Sequence, residues 1–216
     1  MSERLKIAIT KGRLLDKSME LFEAAGLDCT PVRNPGRRLV HCVPNYPLDA
    51  VLAKAPDVIT YVEHGVCDLG IVGKDTILEK GGSFYEVLDL GFGKCRFALA
   101  VKEGSDFYGT YKTRRIASKY PEVTRAFFAK KGMDVDIIKI EGSVELAPIL
   151  GLADAIVDIV ETGATLKANG LVPIEDVAPV SARLIVNTAS MKLHKELIED
   201  FIRRCEAELE KRREQA

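Results

Sequence analysis

The sequence predicts an α/β protein of two lobes with mostly parallel sheets. Three observations carry that reading. Short apolar runs such as Leu5–Ile9, Asp68–Gly73 and Ala155–Val160 alternate with segments whose apolar residues recur every three or four positions. The alternation runs through two rounds, separated by the Gly-rich and charged stretch Glu103–Lys112, which reads as an exposed loop. The chain then returns to its first round near Pro179–Ser181, so the expected lobes are residues 1–93 with 181–216, and residues 94–180.

In the first round, Leu5-Lys6-Ile7-Ala8-Ile9 reads as a buried strand, broken by Lys11-Gly12-Arg13. Leu14, Leu15, Met19, Leu21 and Phe22 follow at helical spacing up to Gly26, a residue suited to end the helix. Arg38–Val43 looks like a strand, ended by Pro44. Pro56–Glu63 suits a short helix with Pro56 in its first turn and Gly65 behind it. Asp68–Gly73 is a strand running into Lys74-Asp75, and strands also fit Phe84–Asp89 and Arg96–Val101. In the second round Arg115–Ser118 is a strand, Pro121–Lys131 a helix stopped by Gly132, Val135–Ile140 a strand and Val144–Leu150 a helix. The strand Ala155–Val160 and the helix Ala164–Asn169 complete it. Val177–Val186 reads as one long returning strand. The last helix spans Met191–Lys211, with Leu193, Leu197, Ile198, Phe201, Ile202, Cys205 and Leu209 in one stripe.

Composition narrows the function. A net charge of -1 provides no bulk basic field for nucleic acid or a membrane surface, so a polyanionic substrate requires a local cluster of Lys and Arg. No apolar run approaches a membrane span, and Ile7–Ile9 is too short for a signal peptide. The five cysteines, Cys29, Cys42, Cys67, Cys95 and Cys205, form no Cys-x-x-Cys pair and are odd in number. They read as reduced, mostly buried thiols of a cytoplasmic protein. His41, His64 and His194 lack metal-ligand spacing, so no protein-held metal is expected.

The most informative segment is Ala155–Leu166. An apolar strand ends in acids, then in Thr162-Gly163-Ala164-Thr165, then in a helical pattern. Such a turn aims backbone N–H groups, hydroxyls and the positive end of a helix dipole at one spot, which suits a phosphate monoester. Asp154, Asp158 and Glu161 bracket the strand, where carboxylates accept hydrogen bonds from sugar hydroxyls. Asp154 and Asp158 share strand parity and therefore one face. Together these residues read as a phosphoribosyl site. Lys11-Gly12-Arg13 follows another strand, with Gly12 opening the backbone between two cations. In a strand beginning at Arg37, one of Arg37 and Arg38 faces inward. Gly73 opens room at a strand end where Lys74 or Asp75 meets the ligand. Arg96 opens a strand at the crossover between lobes, and Tyr120 either stacks on a purine or packs into the core.

With these residues in hand, the chain resembles the ATP phosphoribosyltransferase family. The pattern is Glu145-x5-Gly151-x-Ala153-x2-Ile156-x-Asp158-Ile159-x2-Thr162-Gly163-x-Thr165-Leu166, with Lys11-Gly12-Arg13-Leu14, Asp68–Gly73, Gly93-Lys94-Cys95-Arg96 and Ile116–Pro121 in family order. Val157 stands before Asp158 where purine-salvage phosphoribosyltransferases carry two adjacent acids; Lys54 and Ile59 stand where Arg and Pro are common in the family.

The resemblance implies a type II periplasmic-binding-protein-like fold with the active site in the cleft between lobes. It implies transfer of the 5-phosphoribosyl group from phosphoribosyl pyrophosphate to N1 of the adenine of ATP, the first step of histidine biosynthesis. Asp154, Asp158, Glu161, Thr162, Gly163, Ala164, Thr165 and Leu166 would bind phosphoribosyl pyrophosphate. Lys11, Gly12, Arg13, Arg38, Gly73, Lys74, Asp75, Arg96 and Tyr120 would bind ATP, with Asp154, Asp158, Lys11 and Arg13 catalytic. Mg²⁺ would arrive mainly with the substrate. The chain stops one helix beyond Val186, like the family's short form, which implies a homodimer joined to a histidyl-tRNA-synthetase-like regulatory subunit. The alternative is a non-enzymatic two-lobed anion-binding protein.

Overall fold

A computed structural model describes residues 4–109 and 112–214. The loop expected over Glu103–Lys112 thus includes two residues, Thr110 and Tyr111, outside the described ones. The chain forms two compact units, one of Met1–Gly93 with Ser181–Ala216 and one of Lys94–Val180. No helix among the described residues is long and apolar enough to cross a membrane.

The first unit is a six-stranded sheet flanked by helices. In chain order it contains β1 (Leu5–Thr10), α1 (Arg13–Ala24), α2 (Thr30–Arg33), β2 (Val40–Val43), β3 (Leu48–Ala53), α3 (Ala55–Glu63), β4 (Leu69–Gly73), α4 (Lys74–Lys80) and β5 (Phe84–Asp89). The sheet order is β2-β3-β1-β4-β11-β5, where β11 (Ala182–Asn187) arrives after the second unit. Period-two alternation in β1 sends Leu5, Ile7 and Ile9 into a core with Phe22 of α1 and Phe201, while Ala8 faces Val58, Ile59 and Val62 of α3. Phe22 and Phe201 meet edge to face at 5.2 Å, which locks the C-terminal helix onto the sheet.

The second unit is a five-stranded sheet, ordered β10-β6-β9-β7-β8. Its elements are β6 (Cys95–Lys102), β7 (Arg114–Ser118), α5 (Pro121–Lys130), β8 (Val135–Lys139), α6 (Leu146–Ile149), β9 (Ala155–Val160), α7 (Ala164–Ala168) and β10 (Leu171–Val180). One face packs Phe97, Leu99, Ala155 and Val157 against Val123 and Phe128 of α5. The other is lined by Ala98, Ala100 and Ala117 with Ile156 and Val160, and carries Ala147 of α6 and Leu166 of α7. The chain closes with α8 (Ser190–Leu193) and α9 (Lys195–Glu214) in the first unit.

The α/β class stands, but the pairing is mixed rather than mostly parallel. β1 pairs parallel with β3 and β4, and β7 with β8 and β9. Antiparallel pairs edge both cores: β2–β3, β4–β11 and β11–β5 in one, β9–β6 and β6–β10 in the other. The β2–β3 link, residues 44–47, is too short for a parallel crossover.

Other expectations change in identifiable ways. The long strand over Val177–Val186 is two strands in different sheets, and β10 starts earlier, at Leu171, accommodating Pro173 and Pro179 at a sheet edge. The final helix is interrupted at His194, and Leu193 lies outside the buried stripe at 76% exposure. The exposed-loop reading of Glu103–Lys112 misses Phe107, which is buried against Phe128 while Arg114 donates to its carbonyl. Three elements escaped the periodicity reading: α2, β3 and α4.

Burial also settles the cysteines. Cys29, Cys67 and Cys205 are buried free thiols, and desolvation pushes them up to about 12, 11 and 12, which leaves them protonated and inert. Cys42 is exposed.

Asn187 ties the first unit together. Its side-chain amide donates to the Val62 carbonyl at 2.7 Å, and its oxygen accepts from Ala189 and Ser190 N–H at the start of α8. Asn187→Ala should therefore cost about 2–3 kcal/mol, because buried partners are left unpaired. Leu193→Ala should stay within about 0.5 kcal/mol. Urea midpoints of the two variants check both values; similar midpoints would contradict the linchpin role of Asn187.

Candidate active site

Parallel strands deliver their following loops to one edge, where open α/β sheets carry ligands. In the second unit that edge is set by β7, β8 and β9. Antiparallel β6 begins there, because Arg96 pairs with Val160 at the end of β9. The edge therefore gathers Arg96, Lys119, Tyr120, Glu161 and the Thr162–Thr165 turn.

The turn forms for local reasons. Gly163 caps α7 with φ 78°, a left-handed conformation that a side chain would strain. The Thr162 hydroxyl accepts from the Ala164 N–H at 3.3 Å. Thr162, Ala164 and Thr165 are exposed, whereas Leu166 is buried in the alanine-lined core and anchors the helix. Leu166 can offer a ligand its backbone only. The first-turn amides of α7 point along the helix axis away from their own carbonyls.

Asp158 lies in β9 on the alanine-lined face, opposite Ala98 of β6. It is half-buried, and its Oδ1 accepts from the Ile159 N–H at 2.8 Å. Burial pushes its carboxyl above the usual range, opposed by that N–H, with Glu145 raising it further and Lys119 lowering it.

Asp154 requires a correction. It lies just before β9, at the opposite end of the strand from Asp158. Its backbone N–H donates to the Arg115 carbonyl, and its carboxylate accepts from the Arg115 N–H at 2.8 Å. Four residues of strand separate the two acids by about 13 Å, more than one ribose spans. Parity decides the face of a sheet and not the edge. Asp154 is a structural clamp between the starts of β7 and β9.

Tyr120 resolves toward packing, for its ring meets Phe97 edge to face at 4.8 Å. Arg96 donates to Asp176 at 2.6 Å, an exposed pair that holds the guanidinium weakly.

In the first unit the corresponding edge follows β1, β3 and β4. Lys11, Gly12 and Arg13 are exposed at the start of α1, with the Lys11 N–H bonded to the Ala53 carbonyl at 3.0 Å. Lys54 is exposed at the end of β3. Val40 pairs with Val51, so the turn before β2 opens onto this edge too. That turn overturns one expectation: β2 starts at Val40, and Arg37 and Arg38 both lie outside it and are both exposed. Strand alternation sends neither inward. Lys74 is paired with Glu86, which also holds Arg183 at 3.1 Å, so its ammonium is committed to the fold. Gly73 leaves no space for a side chain, because the Asp75 carboxylate folds over it. The Lys74 N–H in that turn is taken by the Ser181 carbonyl at 2.9 Å.

Glu145, which heads the family pattern, and Lys119, within the Ile116–Pro121 segment, receive no role from sequence. The family pattern ties Glu145 to Asp158 by spacing, but their proximity to each other and to Lys119 depends on strand register and helix packing.

These two mixed sheets define a type II periplasmic-binding-protein-like class of α/β fold. The periplasmic aliphatic sulphonate binding protein SsuA from Escherichia coli superposes with a TM-score of 0.61, covering 100% of this chain and 76% of that one at 14% identity, a likeness of fold alone. Sequence narrows the class. The family described as HisG, ATP phosphoribosyltransferase, matches residues 54–207. The ATP phosphoribosyltransferase of Clostridium kluyveri is 60% identical over 206 residues, 95% of this chain and 94% of the relative. That of Clostridium acetobutylicum is 56% identical over 210 residues, 97% and 98% of the two chains. A solved relative, the ATP phosphoribosyl transferase (HisG:HisZ) complex from Thermotoga maritima, gives a TM-score of 0.81 at 34% identity, covering 95% of this chain and 98% of that one. The chain belongs to the ATP phosphoribosyltransferase family.

The Asp158 environment gives a sign-definite prediction. Its native carboxyl titrates above the unfolded one, so its contribution to stability is full below the unfolded value and is lost as pH rises through the native value. Asp158→Asn keeps an acceptor for Ile159 and removes the charge. It should raise Tm by about 1–3 °C at pH 7, the gain narrowing toward pH 4. A thermal melt series across that range checks it, and an equal or lower Tm at pH 7 would contradict the burial cost.

Proposed function

We propose that this chain transfers the 5-phosphoribosyl group of phosphoribosyl pyrophosphate to N1 of the adenine of ATP, giving N1-(5-phosphoribosyl)-ATP and pyrophosphate, the first step of histidine biosynthesis. The observation that carries it is the joint occurrence, in a member of this family, of a half-buried carboxylate and a hydroxyl-rich Gly turn at the end of one strand.

N1 carries a lone pair that needs no deprotonation. It forms the new bond to C1 as the C1–O bond breaks and its electron pair leaves with pyrophosphate. The barrier is one of charge and position: two polyphosphates must lie close while the ribose becomes oxocarbenium-like. The exposed Thr162, Ala164 and Thr165 with the Gly163 backbone support a role in holding the 5′-phosphate. Asp158 suits the ribose hydroxyls and the developing positive charge, and Glu161 flanks it. Lys11, Arg13, Arg38 and Arg96 supply cations for the phosphates. Magnesium is counted with the substrate, whose pyrophosphate oxygens and waters meet its octahedral demand. Among the described residues, no three His, Cys, Asp or Glu side chains converge as a metal site.

The same reading pairs the chain, as a homodimer, with a histidyl-tRNA-synthetase-like regulatory subunit in the cytoplasm. Support for a hetero-oligomer comes from the Thermotoga maritima relative, which is a HisG:HisZ complex. A passive anion binder is the weaker alternative, because such a protein gains nothing from a carboxylate beside its phosphate turn.

Incubation with ATP, phosphoribosyl pyrophosphate and Mg²⁺, with and without the partner subunit, should yield a product of phosphoribosyl-ATP mass. Unchanged substrates in both arms would overturn the assignment. Asp158→Asn should lower kcat at least about tenfold, and Asp154→Asn should leave it within about twofold, since only the first meets the ribose. Steady-state kinetics separates the two acids, and the reverse ranking would restore Asp154. Thr165→Val should raise the KM for phosphoribosyl pyrophosphate several-fold; an unchanged KM would remove its hydroxyl from the phosphate cradle.

A further inference from the structure

We propose that Lys119 is a positioning residue of the ribosyl subsite, the counter-charge that holds the Asp158 and Glu145 carboxylates together on one sheet face. The inference rests on the reading above, in which Asp158 serves the transferred ribose.

Three elements bring these residues together. β7 runs parallel to β9 with Ile116 beside Ala155, Ala117 beside Ile156 and Ser118 beside Val157. One residue further on, Lys119 comes alongside Asp158. Lys119 directly follows the last residue of β7, Ser118, and the strand partner of Ser118 is Val157, the neighbour of Asp158, so the chain delivers Lys119 to the sheet edge beside Asp158. On the other flank of Asp158 stands Ala98, which brings only a methyl group to the carboxylate's side. Above the face lies α6, fixed by Val144 and Ala147 in the same core, and Glu145 follows Val144 as the residue that caps the helix.

Two carboxylates over an apolar face repel each other and gain little from solvent. The charges facing Asp158 are few. Glu145 comes from the start of α6 and Lys119 from the end of β7. Arg96 lies on the same face of β6, two places nearer the edge, and is held by Asp176. Glu161 follows β9, and Lys139 at the end of β8 pairs at 2.8 Å with Glu141, a carboxylate that Lys119 also helps to hold low. Lys119 is thus the cation that acts on Asp158, consistent with its lowering influence there. Among the described residues it forms no ion pair and no hydrogen bond, and it is exposed. It acts by field rather than by contact, which leaves the carboxylate oxygens to a ligand. The carboxylates also bar a close Lys119 from being a simple phosphate clamp: their charge offsets much of its attraction for a second anion.

The test measures kcat/KM for phosphoribosyl pyrophosphate against pH in wild type, Lys119→Met and Lys119→Arg, with the partner subunit present. It also follows the Asp158 carboxyl carbon by ¹³C NMR in the ligand-free proteins. Lys119→Met should lose roughly threefold to tenfold at the acidic end of the profile and return to within about twofold of wild type above pH 8. Its Asp158 carboxyl should titrate at higher pH, Lys119→Arg should follow wild type in both readouts, and Glu145→Gln should move the Asp158 titration to lower pH. An Asp158 titration unmoved in Lys119→Met, or a loss of equal size at every pH, overturns the proposal. A wild type that makes no phosphoribosyl-ATP would sink the functional reading alone, since the carboxyl titration needs no turnover.

Discussion

The constraint on which the second unit depends is a carboxylate kept on an apolar sheet face. Asp158 stands between Ile156 and Val160 in β9, opposite Ala98, and its described hydrogen bond comes from its own neighbour's N–H. The first unit shows what a settled strand-end acid looks like. Asp89 is also partly desolvated, which raises its carboxyl, but the Gly91 N–H, the Ser181 hydroxyl and Arg183 outweigh burial and hold it below the usual range. Asp89 has its partners inside the fold, whereas Asp158 is left short of them. A fold keeps such a cost where the group has work to do with something outside it.

The small side chains around Asp158 belong to the same design. Ala98, Ala100 and Ala117 line the face on which Asp158 sits, and α6 and α7 pack there through Ala147 and Leu166. Larger residues would lift those short helices away and fill the space above the carboxylate. The opposite face carries Phe97, Leu99 and Val157 under α5, so the bulk that stabilises the unit is concentrated where no ligand is expected. One sheet thus divides its labour: aromatic and branched residues hold the unit together on one side, and small ones leave room on the other.

Most of this was legible in sequence where the signal is local. The strands over Leu5–Thr10 and Ala155–Val160 followed from apolar runs, and the turn at Thr162–Thr165 from Gly between hydroxyls. What failed was whatever depends on a neighbour in space. Asp154 and Asp158 look equivalent by parity, yet one clamps Arg115 at the start of β9 and the other stands near its end. Arg37 and Arg38 looked like the start of a strand, but β2 starts at Val40, and what precedes it is a turn. Lys74 looked like a loose cation after a Gly turn, until β5 supplied Glu86. β3 was missed because its mixed run, Leu48–Ala53, includes Asp49, whose carboxylate is satisfied by Arg4 at 2.9 Å.

Topology also explains how a chain of net charge -1 can receive a polyanion. Charge averaged over the molecule is irrelevant if cations are sorted to one place. In a parallel pair the following loops emerge on the same side, so residues placed directly after β1 and β3 gather at one edge although they are far apart in sequence. Lys11, Arg13 and Lys54 are brought to one edge in this way, and Lys119 reaches the edge of the other sheet by the same rule after β7. Many of the remaining charges neutralise one another on exposed helix faces, as in the pairs Lys17–Glu20, Lys195–Glu199 and Lys211–Glu208. These surface pairs contribute little to stability. Their effect is to cancel the background field, so that the potential at each sheet edge is set by the few cations the strand order has delivered there.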